Sequence, residues 1–218
     1  MATLAEFMPY ILPLVSGCPQ PLAEQTLRQV AIEFCMHAPI VQETLDPIDV
    51  NVGQLEYDID TAFGTNVTIV LQALYNGLRM GAFRLGDAAH IDARYSDSGF
   101  YDAQAIAAPY RYRQSAGNSF TLDRMPTLAA PGAIVMVVAT RPTYNANSLA
   151  DVLLQDYGYE IGAGTAARLM LMPNQLFSAP QLAASYQSIY MQGRTNSRIR
   201  ADASFGRAST RVQPRPFQ

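Results

Sequence analysis

The sequence predicts an α+β protein. Two helices at each end of the chain should pack as a four-helix bundle, with an inserted antiparallel β-sandwich or curled sheet and an extended C-terminal arm. Three observations lead there. Apolar residues recur at helical spacing near both ends; between about residues 45 and 145 the period falls to two; after residue 203 periodicity stops. The boundaries that follow are 1–44 for the first helices, 45–145 for the β block, 146–203 for the second helices and 204–218 for the arm.

Taken in order, Leu4, Phe7, Met8, Ile11 and Leu12 have helical spacing, interrupted by Pro9 and ended by Pro13. SGCPQP is a rigid turn. PLAEQTLRQVAIEFCMHA then predicts a firm helix: Pro21 suits the first turn, Glu24 favours the N-terminal dipole, and Ala23, Leu27, Val30, Ala31 and Phe34 form one stripe. Alternation begins near Leu45. VGQLEYDID, NVTIVLQALY, LRMGAFRL, APYRYRQ, NSFTLD and AIVMVVATRP read as about six strands. Asn76-Gly77 between two of them is the strongest hairpin signal, since both residues tolerate the positive φ of a type I′ turn. Residues 86–99 lack a pattern and predict a long loop or irregular edge.

The last third organises the chain. SLADVLLQDYGYEIGAGTAARLMLM should start at an Asn147 or Ser148 cap and end at Pro173, with Leu149, Leu153, Tyr157, Ile161, Gly164 and Leu171 on one line. A second helix restarts at Ser178 and Pro180 with Leu182, Tyr186, Ile189, Tyr190 and Gly193 inward. So short a connection makes the two antiparallel neighbours. Gly162 and Gly164, with Leu153, Ile161 and Tyr186, are the expected packing residues. The same glycines read Gly-x-Gly-x-x-Ala, but a dinucleotide turn follows a buried strand and opens a helix. Here they sit inside a helical pattern, so close helix packing is the preferred reading and no cofactor is expected.

Composition narrows the function. At 218 residues, 49% hydrophobic and 15% charged, the chain can bury a sizeable core. No apolar run approaches the roughly 18–20 residues of a membrane span, so no membrane partner is expected. MATLAEFMPYILPLVSGC has no basic start and carries Glu6, which argues against a secretory signal. Cys18 and Cys35 make no disulfide framework and read as reduced thiols of a cytoplasmic product. All 15 basic residues are arginine. From Arg194 onward six arginines face only Asp202, a net of +5, whereas the preceding 193 residues carry nine arginines and 17 acids, a net of −8. A basic tail on an acidic body implies that the tail has its own partner.

Catalytic patterns are missing. Without lysine there is neither a Schiff-base nor a Walker lysine. No Gly-x-Ser-x-Gly elbow or His-Glu-x-x-His pair occurs. Cys35 and His37 lie two positions apart on one helix, so they point about 200° apart. His37 reads as a capping or surface residue, and with His90 the only other histidine no metal site can be argued. Asp58, Asp60, Asp97 and Asp102 read as turn or solvent-facing acids. No enzyme is expected. For the tail, phosphate contact by six arginines competes with docking of a peptide arm into a protein groove. The groove better explains Phe205, Val212, Phe217 and the prolines.

LPLVSGCPQPLAEQTLRQVAIEFC followed by LDPIDV, and later AIVMVVATRPTYNANSLADVLLQDYGYEIGAGTAARLMLMPNQLFSAPQLAASYQSIYMQG, resemble head-to-tail adaptor (connector, neck) proteins of tailed bacteriophages. The resemblance covers residues 12–50 and 133–200. It implies a structural virion protein, made in the bacterial cytoplasm, that forms a twelve-copy homo-oligomeric ring beneath the portal protein and meets a downstream neck or tail protein. Genomic DNA would pass through that ring without sequence-specific binding. It also implies that 204–218 is a portal-binding arm, with Arg207, Arg211 and Arg215 facing acidic portal groups and Phe205, Val212 and Phe217 as anchors. The alternatives are a tail-completion or stopper protein of the neck, and a small nucleic-acid-binding protein using the arginine tail.

Overall fold

The structure, a computed structural model, describes residues 1–82, 109, 111–115 and 118–202. It divides into two compact units. One joins Met1–Val41 to the described residues from Pro142 on, and the other is Gln42–Arg141.

The four-helix bundle does not form. Among the described residues there are eleven strands in three sheets against five α-helices, so by element the protein is mainly β. The N-terminal helix pair fails for a local reason. Residues Leu4–Phe7 make only a 3₁₀ turn that runs into a four-residue helix α1, Met8–Ile11. Pro9 is tolerated in its first turn, but Pro13 stops it from lengthening. Ahead of the turn, Ala2–Thr3 form strand β1, whose partner lies far along the chain.

The first unit has one long N-terminal helix, α2 (Gln20–His37), with Pro21 near its start and Ala23, Leu27, Val30, Ala31 and Phe34 buried. The long helix expected from Ser148 is divided. Ser148–Leu149 are strand β11, which pairs antiparallel with β1 through Ala2↔Leu149 and Thr3↔Ser148. Neither Asn147 nor Ser148 is therefore a cap, and that place falls to Ala150. Two helices follow, α3 (Asp151–Gln155) and α4 (Gly158–Met170), broken where Tyr157 leaves helical geometry at φ −134° and ψ 13°. After a short connection comes α5, Pro180–Asp202. Phe7, Ile11, Leu27, Phe34, Leu153, Ile161, Leu169 and Tyr190 are among the residues that close the core of this unit.

The second unit is a pair of sheets. In the first, β2 (Gln42–Thr44), β10 (Ala130–Pro142), β5 (Thr65–Tyr75) and β6 (Leu78–Arg79) lie in that order, and β3 (Ile48–Val50) also pairs with β10. In the second, the order is β4 (Glu56–Asp58), β9 (Ser119–Leu122), β8 (Arg111–Gln114), β7 (Gly81–Ala82). The expectation of a wholly antiparallel block fails at β7 and β8, which run parallel with Gly81 opposite Arg111. Asn76 and Gly77 turn β5 into β6 at φ 48° and 79°, the left-handed values a tight hairpin requires. Both sheets contribute to one core, with Val67, Ile134 and Met136 from one and Tyr57, Tyr112 and Phe120 from the other. The Tyr57 and Phe120 rings stack at 5.5 Å. Part of β5 is tied across the core by side chains: Val67 N–H donates to Asn118 Oδ1 at 2.9 Å and Val70 N–H to Gln114 Oε1 at 3.2 Å.

Candidate functional site

Helix α5, from which the basic tail departs, is seated by small residues. Helix α4 is buried almost all round, because Gly158 and every residue from Ile161 to Ala167 are covered. A methyl group on Gly162 would lie 2.7 Å from Tyr10 Cβ and 3.1 Å from its carbonyl oxygen. On Gly164 it would lie 2.5 Å from Cδ2 of Tyr190, and on Gly193 of α5 it would run into Glu160. Glycine is needed at these positions for approach. Backbone conformation does not demand it. The Tyr190 ring fills the gap over Gly164, packs 5.9 Å from Phe34, and donates its hydroxyl to Val30 carbonyl oxygen at 3.4 Å. Phe34 also meets Tyr157, at 5.4 Å.

This seat rotates α5 away from the expected stripe. Its buried residues are Ala183, Tyr190, Gly193, Ser197 and Ala201, with Tyr186 half-buried against the core. Leu182 is exposed. The groove over Gly164 accepts one large ring and otherwise small groups, so closeness of approach outweighs the burial of Leu182.

Charge completes the site. Glu33 on α2 accepts from two arginines, Arg168 on α4 and Arg194 on α5, the latter at 3.3 Å. One carboxylate therefore ties three helices. The Arg194 guanidinium also lies 5.9 Å from the Tyr190 ring centre. Arg200 reaches Asp156 at 3.1 Å, and Arg198 stands 4.0 Å from Asp202 with both side chains largely exposed. Two of the six tail arginines are thus held beside acids of the body, and a third, Arg198, stands beside Asp202 of its own helix. The other three, Arg207, Arg211 and Arg215, belong to residues 203–218, which contain no acid.

Residues singled out in the sequence fall into separate groups. Leu153 and Ile161 are fully buried on α3 and α4, and Gly162 and Gly164 lie against Tyr10 and Tyr190. The Gly-x-Gly run begins well inside α4, with α3 before it rather than a strand, and side chains fill the space in front of its glycines. Cys35 is buried and its thiol is pushed up to about 12 by desolvation, so it stays protonated. His37 is exposed on the same helix. Its pKa is lowered, first by partial desolvation and then by Arg194 and Arg198. Such a thiol and imidazole do not form a nucleophile–base pair. Among the described residues, no group of three or more His, Cys, Asp or Glu is placed to hold a metal ion, and no helix is long and apolar enough to cross a membrane. Phe205, Arg207, Arg211, Val212, Arg215 and Phe217 lie outside the described residues, as do His90, Asp97, Asp102 and the 86–99 stretch.

Sequence reading missed Glu33, Arg168, Asp156 and Tyr10. No local spacing joins Glu33 to arginines well over a hundred positions away, and Tyr10 is masked by the neighbouring prolines. The one available signal was Glu33 lying on the charged side of an otherwise clean apolar stripe. No family model matches the chain. No curated protein matches it either.

Proposed function

We propose that the protein is a structural subunit of a phage neck, a head-to-tail adaptor that joins a ring beneath the portal and docks its arm, residues 204–218, on the portal protein. The observation that carries this reading is where the adaptor-like stretches fall. Residues 12–50 and 133–200 supply most of β10 in one unit and, in the other, α2, α3, α4 and α5; α2 and α4 are the helices that seat α5, after which the sequence of the arginine-bearing tail begins. A ring subunit needs a firm base and a separate arm with its own charge, and Glu33 with the glycine contacts gives α5 such a base. Twelve copies, a virion location, passage of DNA without specific contacts and a downstream neck or tail partner belong to the same proposal.

The nucleic-acid alternative is weakened by Arg194 and Arg200, which already face acids of the body. Phosphate binding would draw chiefly on the other four, Arg198, Arg207, Arg211 and Arg215. The deciding experiment measures native mass, alone and after mixing with the portal protein, for the full chain and for a copy ending at residue 203. Joining of the full chain but not the shortened copy supports the adaptor and its arm. If neither binds the portal, the reading fails. Binding to nucleic acid that falls steeply with salt would then favour the alternative.

A further inference from the structure

Among the described residues, strand β4 is an edge of its sheet, with β9 its one partner. Its ladder with β9 passes through Leu55 and Ile59: Leu122 N–H donates to Leu55 carbonyl oxygen at 2.9 Å and Ile59 N–H to Asn118 carbonyl oxygen at 2.6 Å. That register turns the backbone groups of Glu56 and Asp58 away from β9, toward the outside. The Glu56 carbonyl takes the Gln54 side-chain amide at 2.9 Å, and Asp58 has no partner on that side among the described residues. Glu56, Asp58 and Asp60 alternate with the buried Tyr57 and Ile59, so three carboxylates line the exposed face of this edge. None of them forms an ion pair with an arginine of the described residues.

A second feature adjoins it. The loop before β4 and the loop after β9 are joined by Gly53 N–H donating to Pro126 carbonyl oxygen at 3.0 Å. Together they expose Val52 at 62%, Leu55 at 36%, Met125 at 53% and Leu128 at 77%. Four large apolar side chains from two joined loops next to an acidic open edge make a mixed surface. It suits an extended segment that carries cations and a few apolar anchors.

Residues 203–218 have that chemistry: three arginines, no acid, and Phe205, Val212 and Phe217 between them. The spacing also agrees. Arg207 and Arg211 are four apart, as are Glu56 and Asp60. On paired strands, residues four apart share a face and lie about 13 Å from each other on either strand. We propose that the β4 edge of one copy takes residues 203–218 of a second copy as an added strand. Backbone hydrogen bonds would form at Asp58, arginines would sit over Glu56 and Asp60, and an anchor would cover the Val52–Met125 loops. This rests on and deepens the ring reading, because a contact that hands each arm to the next copy is head-to-tail, the kind of interface from which rings are built when the rotation closes. The portal's acidic groups would compete for the same arginines.

The test is a fluorescent synthetic peptide of residues 203–218, titrated with the full-length protein and followed by anisotropy at low and high salt. Saturable binding that weakens about tenfold or more at high salt is expected. It should be lost in Glu56→Gln/Asp58→Asn/Asp60→Asn, whose exposed, isosteric changes leave the melting temperature in place. A charge swap keeps the result specific: Glu56→Arg/Asp60→Arg should reject the natural peptide and accept one carrying Arg207→Glu and Arg211→Glu. No binding, or equal binding to the neutralised edge, overturns the proposal. Since no portal protein is present, such a failure leaves the portal test untouched, and failure of the portal test leaves this one standing.

Discussion

Gly164 and Cys35 show how single positions are fixed by what surrounds them. A methyl at Gly164 meets the Tyr190 ring at 2.5 Å, and at Gly193 it meets Glu160. In open helix either change to alanine would gain about 1 kcal/mol. Here Gly164→Ala should instead cost about 1–3 kcal/mol by overpacking, because the buried ring has nowhere to retreat. Urea denaturation of Gly164→Ala measures the difference, and unchanged or increased stability would contradict the packing described. Cys35 makes a prediction in pH. Its folded pKa of about 12 lies above the ordinary 9.0, so the folded state holds a proton that the unfolded state releases. Its contribution is intact below about pH 9 and is lost as pH rises toward about 12. The buried tyrosines are also raised, from a higher starting value, so the window between about pH 9 and 10 belongs chiefly to the thiols. Denaturation near pH 8 and near pH 10 should show a decline that Cys35→Ala flattens.

At the scale of elements, legibility followed locality. The stripe of α2 and the Asn76-Gly77 turn could be read because each depends on neighbours within a few positions. The split between α3 and α4 could not: the apolar line runs on through Tyr157, and only the packing of the folded unit exposes the break. Strands β1 and β11 are two residues each, too short for any period, and they exist because distant segments meet. The same blindness hid Glu33. Its loss should loosen α2, α4 and α5 together. Glu33→Gln is expected to lower stability by about 1 kcal/mol, since its ion pairs are about one-third exposed and partly screened. A cycle with Arg194→Gln should show coupling between the two sites, and strictly additive losses would contradict the shared tie. In the other unit, Gly77→Val forces a branched side chain to φ 79° and should cost about 1–2 kcal/mol, read as a lower melting temperature.

For the whole molecule, periodicity misjudged how many elements each region holds, and it missed the strands β1 and β11 inside stretches that read as helical. Proline-limited helices at the start and very short strands throughout turned an expected four-helix protein into one richer in strands. The candidate site was legible in its glycines and its tail charge, and illegible in which arginines the body keeps for itself. A copy ending at residue 203 should therefore melt close to the full chain, because Arg194 and Arg200 and their acidic neighbours remain. A large drop in melting temperature would mean that the arm also supports the body. Finally, Gln42 lies opposite Ala139, so the chain enters and leaves Gln42–Arg141 on adjoining strands about 5 Å apart. That makes a doorway: a tight turn could bridge the two points between which these hundred residues run. A segment whose two ends lie side by side can be exchanged or shortened without moving either end.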